Sequence, residues 1–144
     1  MKASLKSLFL LIFVNLSVDG FCRPDLLTVA ERSDYTSTSS YRDVISFIDE
    51  LKALSKFIRI ETFGRSVNGY EIPLLVIGDP LPSQPSANEK DGRIVIYIQA
   101  NIHADEVDGK EASLMFARDL LKKGDPAALK NLVILICPIF NIDG

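Results

Sequence analysis

The sequence predicts an α/β fold built on a mixed sheet, and three stretches carry that expectation. Tyr41 to Lys56 (YRDVISFIDELKALSK) repeats apolar residues at helical spacing, two strand-like runs flank Asn68-Gly69, and two β-branched runs at 94–98 and 132–136 enclose a second helical pattern. A hairpin pairs its strands antiparallel, whereas a strand–helix–strand unit pairs them parallel, so one sheet must contain both directions.

The chain has 144 residues, 47% hydrophobic and 24% charged, which suits one modest globular domain. At its start, Lys2 and Lys6 precede an apolar run from Leu8 to Val14 (LFLLIFV), and Val18 and Gly20 lie before a cleavage point. This is the pattern of a secretory signal peptide over residues 1–20, too short for a stable membrane span; a buried N-terminal helix or an anchor is the alternative. The chain from 21 to 144 is then expected to be secreted or periplasmic. Net charge is −3, and loss of Lys2, Lys6 and Asp19 with the leader leaves the remainder mildly acidic. Basic residues are interleaved with acidic ones, which argues against nucleic acid as a partner. Cys22 follows the cleavage point and Cys137 lies in an apolar run, and spacing alone leaves open whether they pair. Asp19 and Phe21 make a poor lipoprotein signal at Cys22. With no CxxC pair and no Cys/His cluster, thiolate metal sites and thioredoxin-like chemistry find no support.

Residues 23–40 are polar, rich in Ser and Thr, and read as an extended arm or loop. Ser40 and Asp43 then form an N-cap signature for a helix in which Tyr41, Val44, Ile45, Ile48, Leu51 and Leu54 share the apolar face. Ile58 to Phe63 (IRIETF) alternates as a strand and Tyr70 to Ile77 follows as its partner, joined through the Asn68-Gly69 turn. Pro73 places the second strand at an edge or makes it irregular there. Asp79 to Gly92 is loop chemistry throughout.

Ile94 to Ile98 is β-branched enough to be a central strand, and the only histidine, His103, lies in the polar turn after it. A helix is expected from Lys110 to about Lys123, stopped by Gly124 and Pro126. Leu114, Phe116, Ala117, Leu120 and Leu121 form its apolar arc; Arg118, Asp119 and Lys122 face water. Leu132 to Ile136 is a buried strand, parallel to 94–98 across a right-handed crossover. The last residues, PIFNIDG, form a turn directly after that strand, so the chain is expected to be the front part of a larger fold.

His103 and Glu106 stand three residues apart in a loop entering a helix, where an imidazole nitrogen and a carboxylate can aim at one point. Zinc takes both donor types, and catalytic zinc sites use three protein ligands with a position left open. The bare pair is a weak motif, since a His is followed by a Glu three places on in roughly one case in sixteen. Its position strengthens it, because loops leaving the carboxyl ends of strands in α/β sheets collect ligands.

Three landmarks together give a resemblance. FGRSVNGYEIPLLVI at 63–77 is similar to the glycine-containing hairpin of the zinc metallocarboxypeptidases, the carboxypeptidase A-like peptidases and especially their secreted bacterial-type members. NIHADEVDGKEAS at 101–113 resembles their H-x-x-E metal motif with its following helix, and FNIDG at 140–144 resembles their N-P-D-G or N-V-D-G turn. The resemblance runs from about Leu27 to Gly144. It implies a mixed sheet, parallel in its centre, between layers of helices, truncated here after the N-terminal half. It also implies that His103 and Glu106 are zinc ligands. Asp105 stands where relatives commonly have Gly, which adds a carboxylate beside the metal and asks for a residue tolerant of left-handed backbone.

By the same resemblance the activity is zinc-dependent hydrolysis of C-terminal peptide bonds or related amides. The third ligand, a histidine, the catalytic glutamate and the substrate-binding arginines are all expected beyond residue 144. A deacylase of N-acyl amino acids with a similar fold is one alternative, and a secreted fragment or pseudoenzyme without catalysis is another.

Overall fold

A computed structural model describes residues 25–83, 92–123 and 126–144. The expected signal peptide, Cys22, Gly124 and most of the 79–92 loop lie outside the described residues. The elements are α1 (Val29–Arg32), α2 (Tyr41–Leu54), β1 (Ile58–Arg65), β2 (Glu71–Gly78), β3 (Ile94–Gln99), α3 (Val107–Lys123), α4 (Pro126–Lys130) and β4 (Leu132–Cys137). One four-stranded sheet runs in the order β1-β2-β4-β3, and none of the described helices is long and apolar enough to cross a membrane.

The mixed sheet follows the sequence pattern. β1 and β2 pair antiparallel from Ile58↔Ile77 to Arg65↔Glu71, β2 and β4 pair antiparallel, and β3 and β4 pair parallel from Ile94↔Leu132 to Gln99↔Cys137. Gly69, at φ 87°, closes the hairpin turn as only glycine does without strain. β2 is an inner strand, yet its ladder with β4 begins only at Leu75. Pro73 therefore sits where β2 has a single neighbour, opposite Thr62 and beside a bulge between Thr62 and Gly64. β3, expected to be central, is the outer strand of these four, and Ile94, Val95, Ile96 and Tyr97 are all exposed.

Alternate strand residues build the core on one face of the sheet: Ile58, Leu75, Ile77, Ile134 and Ile136. Onto them pack Val44, Phe47, Ile48 and Leu51 of α2, Leu114, Ala117 and Leu121 of α3, and Leu129 of α4. Ser40 and Asp43 form the expected capping box of α2. Its buried stripe takes Phe47, which lies near Leu26, and leaves Leu54, the last residue of the helix, exposed. α3 begins three residues before the sequence suggested, with Gly109 inside its first turn. Pro126, read as a stop, opens α4, where its missing N–H costs nothing.

Two departures concern polarity. The arm at 23–40 holds a one-turn helix, α1, capped by Thr28 and Glu31, rather than only extended chain. Arg118, assigned to the water-facing side of α3, is buried, while Phe116, assigned to the core, is 44% exposed. The reason is the arm itself, which lies over α3 and supplies acceptors. Arg118 donates to Leu26 O at 2.9 Å and Glu31 Oε2 at 2.5 Å, and Lys122 pairs with Asp25 at 2.8 Å. Nearer the start of α3, Glu111 Oε1 accepts from the Ser39 amide and the Thr38 hydroxyl, and the Lys110 ammonium donates to Ser39 O. Glu111 Oε2 is buried without a hydrogen-bond partner among the described residues.

The Arg118 and Glu31 side chains are only 9% and 15% exposed, so the pair counts as buried. Replacing Arg118 by Met leaves Glu31 without its cation, and a loss of about 3 kcal/mol is expected from urea unfolding. A loss below about 1 kcal/mol would mean that the pair is worth no more than a surface ion pair.

Acid sensitivity follows from the same seam. Burial raises the Glu111 carboxyl, but the Ser39 amide and the Thr38 and Thr28 hydroxyls outweigh it and hold it below its ordinary 4.5. Burial likewise raises Glu31, and Arg118 with Thr28 brings it below 4.5. A lowered carboxyl contributes stability that is full above the unfolded value and lost as pH falls toward the folded one. Thermal stability is thus expected to hold above pH 4.5 and to drop below it. Glu111→Gln should shrink that drop, and an unchanged acid profile in this variant would remove Glu111 from the account.

Candidate metal centre

β3 ends at Gln99, and the chain leaves the sheet through Ala100 and Asn101, still tied to the exit of β4. Ala100 N donates to Cys137 O at 2.9 Å, Phe140 N to Ala100 O at 3.1 Å, and Asn141 N to Asn101 O at 2.9 Å. Cys137 is buried, which pushes its thiol up to about 11, away from the thiolate form that binds metal. Asn101 then turns the backbone with φ 53°, and its side-chain amide donates to His103 O at 2.9 Å and Ala104 O at 3.3 Å. The left-handed residue of this turn is Asn101 and not Asp105, whose place in the turn needs no positive φ.

Beyond that turn the two predicted side chains meet. His103 Nδ1 lies 2.9 Å from Glu106 Oε1, and the His103 amide donates to Glu106 Oε2 at 3.2 Å. Both are open to solvent, with 74% and 53% of their side-chain surface exposed. The hydrogen bond and charge of Glu106 raise the imidazole pKa above 6.5, with a small contribution from Asp105, and the same bond lowers that of Glu106.

The turn after β4 braces this loop from outside. Asp143 accepts from the Ser66 hydroxyl at 2.9 Å and from the Asn68 amide at 3.1 Å. Gly144 comes so close that a Cβ there would stand 2.6 Å from Ala104 Cβ. The hairpin turn, the His103 loop and the 140–144 turn, far apart in sequence, thus gather at one end of the sheet. Asn101, Asp143 and Gly144 were not singled out from the sequence as supports of the loop. For Asn101 the signal was an Asn three residues after a β-branched run, a residue type that tolerates left-handed backbone.

The donor set fits zinc in kind, one imidazole nitrogen and one carboxylate oxygen already adjacent on a loop at a strand's carboxyl end. It falls short in number, since no group of three or more His, Cys, Asp and Glu that could hold a metal ion occurs among the described residues.

Comparison with known proteins shows the family and the fold. The protein family of zinc carboxypeptidases matches residues 44–144. Carboxypeptidase A from Helicoverpa armigera has the same fold over 75% of this chain and 25% of its own, at TM-score 0.62 and 24% identity. A putative carboxypeptidase from Burkholderia mallei matches over 74% of this chain and 27% of its own, at TM-score 0.60 and 22% identity. Bovine thrombin-activatable fibrinolysis inhibitor, solved in complex with tick carboxypeptidase inhibitor, matches over 74% and 32%, at 0.60 and 18%. The chain therefore spans about a quarter to a third of the length of these structures. No curated protein sequence matches it. From α2 through the 140–144 turn, the match takes in the hairpin, the His103 loop and the parallel pair, and the chain belongs to the zinc carboxypeptidase family.

Proposed function

We propose that this chain is part of a zinc-dependent peptidase that cleaves C-terminal peptide bonds or related amides, with His103 and Glu106 as two of three protein ligands. The observation that supports it most directly is the approach of Nδ1 and Oε1 to 2.9 Å on an exposed loop at the carboxyl end of β3. Zinc, when bound, supplies a Lewis acid and a water with a pKa of about 7. His103 provides a neutral nitrogen donor and Glu106 an anionic oxygen, while the Asn101 turn fixes the backbone between them. Asp105 adds negative charge beside them and favours a cation there. The third ligand, the general base and the group that receives the substrate carboxylate are assigned to parts of the protein outside residues 1–144. The leader at 1–20 is assigned to export.

A non-catalytic secreted product is the second reading. Zinc content separates the two readings. In a protein that carries this chain with its further ligand, His103→Ala is expected to abolish stoichiometric zinc and hydrolysis together, because one of three ligands is lost. Glu106→Gln should keep the shape but weaken zinc binding, a neutral amide being the poorer ligand. Metal analysis and rates on C-terminal peptides and N-acyl amino acids check this, the two substrate classes separating peptidase from deacylase. Zinc and rate both near their original values in His103→Ala would discard the metal assignment.

Export is checked separately by N-terminal sequencing of the expressed protein. A start near Phe21 or a few residues later is expected, and intact Met1 on a soluble cytoplasmic product would refute it.

A further inference from the structure

The loop that carries His103 and Glu106 depends on one carbonyl. His103 O accepts from the Glu106 amide at 3.1 Å and from Asn101 Nδ2 at 2.9 Å, so a backbone bond and a side-chain bond share the same oxygen. The first sets the spacing between the two residues of the pair. The second ties that unit to the sheet, because Asn101 is 4% exposed and its own carbonyl is held by Asn141 N beyond β4. Nδ2 also reaches Ala104 O, so two consecutive carbonyls of an otherwise exposed turn share one buried donor.

We infer that Asn101 is the positioning residue of the His103–Glu106 pair: its amide, anchored on the β3 and β4 exits, fixes the direction in which the pair leaves the sheet. The inference rests on the proposed role of that pair as ligands, but the placement of the loop can be tested without metal. Two requirements fall on one position. Backbone at φ 53° favours Gly, Asn or Asp, and a short side chain must present N–H donors to carbonyls two and three residues ahead. Asparagine alone among these meets both. Glycine keeps the backbone and loses the donors; aspartate keeps the shape and sets a carboxylate against two carbonyl oxygens.

The test uses Asn101→Gly and Asn101→Asp in the full-length protein. In metal-free protein, the His103 and Glu106 amides are expected to exchange with deuterium at least about tenfold faster in both variants, while α2, α3 and β4 keep their protection. Zinc affinity should fall by a similar factor with the unfolding midpoint little changed, a split that a purely structural residue would not produce. Should Asn101→Asp fail to fold, Asn101→Gly carries the test, since it removes the donors without backbone strain. Unchanged exchange at 103–106, or protection lost evenly across the sheet and helices, overturns the inference. If His103→Ala leaves zinc affinity untouched, the ligand reading fails, and the exchange data still judge the loop.

Discussion

The polar seam between the 25–40 arm and α3 is the interaction on which the remaining structure depends. A helix with Lys110, Glu111, Ser113 and Arg118 at 5–7% exposure could not stay packed unless these side chains found partners, Glu111 through one of its two oxygens. The arm supplies most of them. Leu26 O and the α1 capping residue Glu31 take Arg118, and the Ser39 backbone takes Glu111 through its amide and Lys110 through its carbonyl. Removing the arm would therefore expose apolar surface and leave buried charges unpaired, which costs more than the hydrogen bonds themselves contribute. Ser40, the last residue of the arm, is also the N-cap of α2, so the same segment sets where both helices begin on the sheet.

What α3 inherits from that seam it passes to the site. Glu106 directly precedes Val107, the first residue of α3, so an anchored helix also places the carboxylate. His103 is fixed from the other direction, through Asn101 and the exit of β4. The hairpin joins the assembly twice: Asp143 accepts from Ser66 and Asn68, and the Tyr41 hydroxyl donates to Glu71 O beside a Tyr41–Tyr70 ring contact at 5.1 Å. Hairpin, helix start and strand exits thus converge on a few residues, which explains why three short motifs of modest individual specificity coincide in one chain.

Much of this was legible because it is written in periodicity. α2 with its Ser40/Asp43 box, the Asn68-Gly69 hairpin and the parallel pair around α3 all follow from spacing and turn chemistry. The adjacency of His103 and Glu106 was legible as well, since it is local. Periodicity records polarity and not partners, and there it failed. Arg118 looks like a solvated residue until an arm some ninety residues away brings Glu31 to it, and Phe116 looks buried, yet it is 44% exposed beside Ile98 and Ala112. β3 looks central because its side chains are β-branched, yet in the described sheet it has one neighbour. The role of Asn101 could not be read, because the carbonyls that its amide serves take their positions only when β3 and β4 pair.

The His103–Glu106 contact has an internal asymmetry. Two exposed side chains left free would each sample several rotamers, and a contact between them would be brief. Glu106 avoids this by using both oxygens, one toward Nδ1 and one toward the His103 amide. The backbone bond does not depend on the charge of the ring. At low pH the imidazolium strengthens the side-chain bond, and this contribution fades as pH rises through the raised histidine pKa. The two predicted ligands are thus joined twice, once through the ring and once through the backbone, and only the first of these joins depends on the charge of the imidazole.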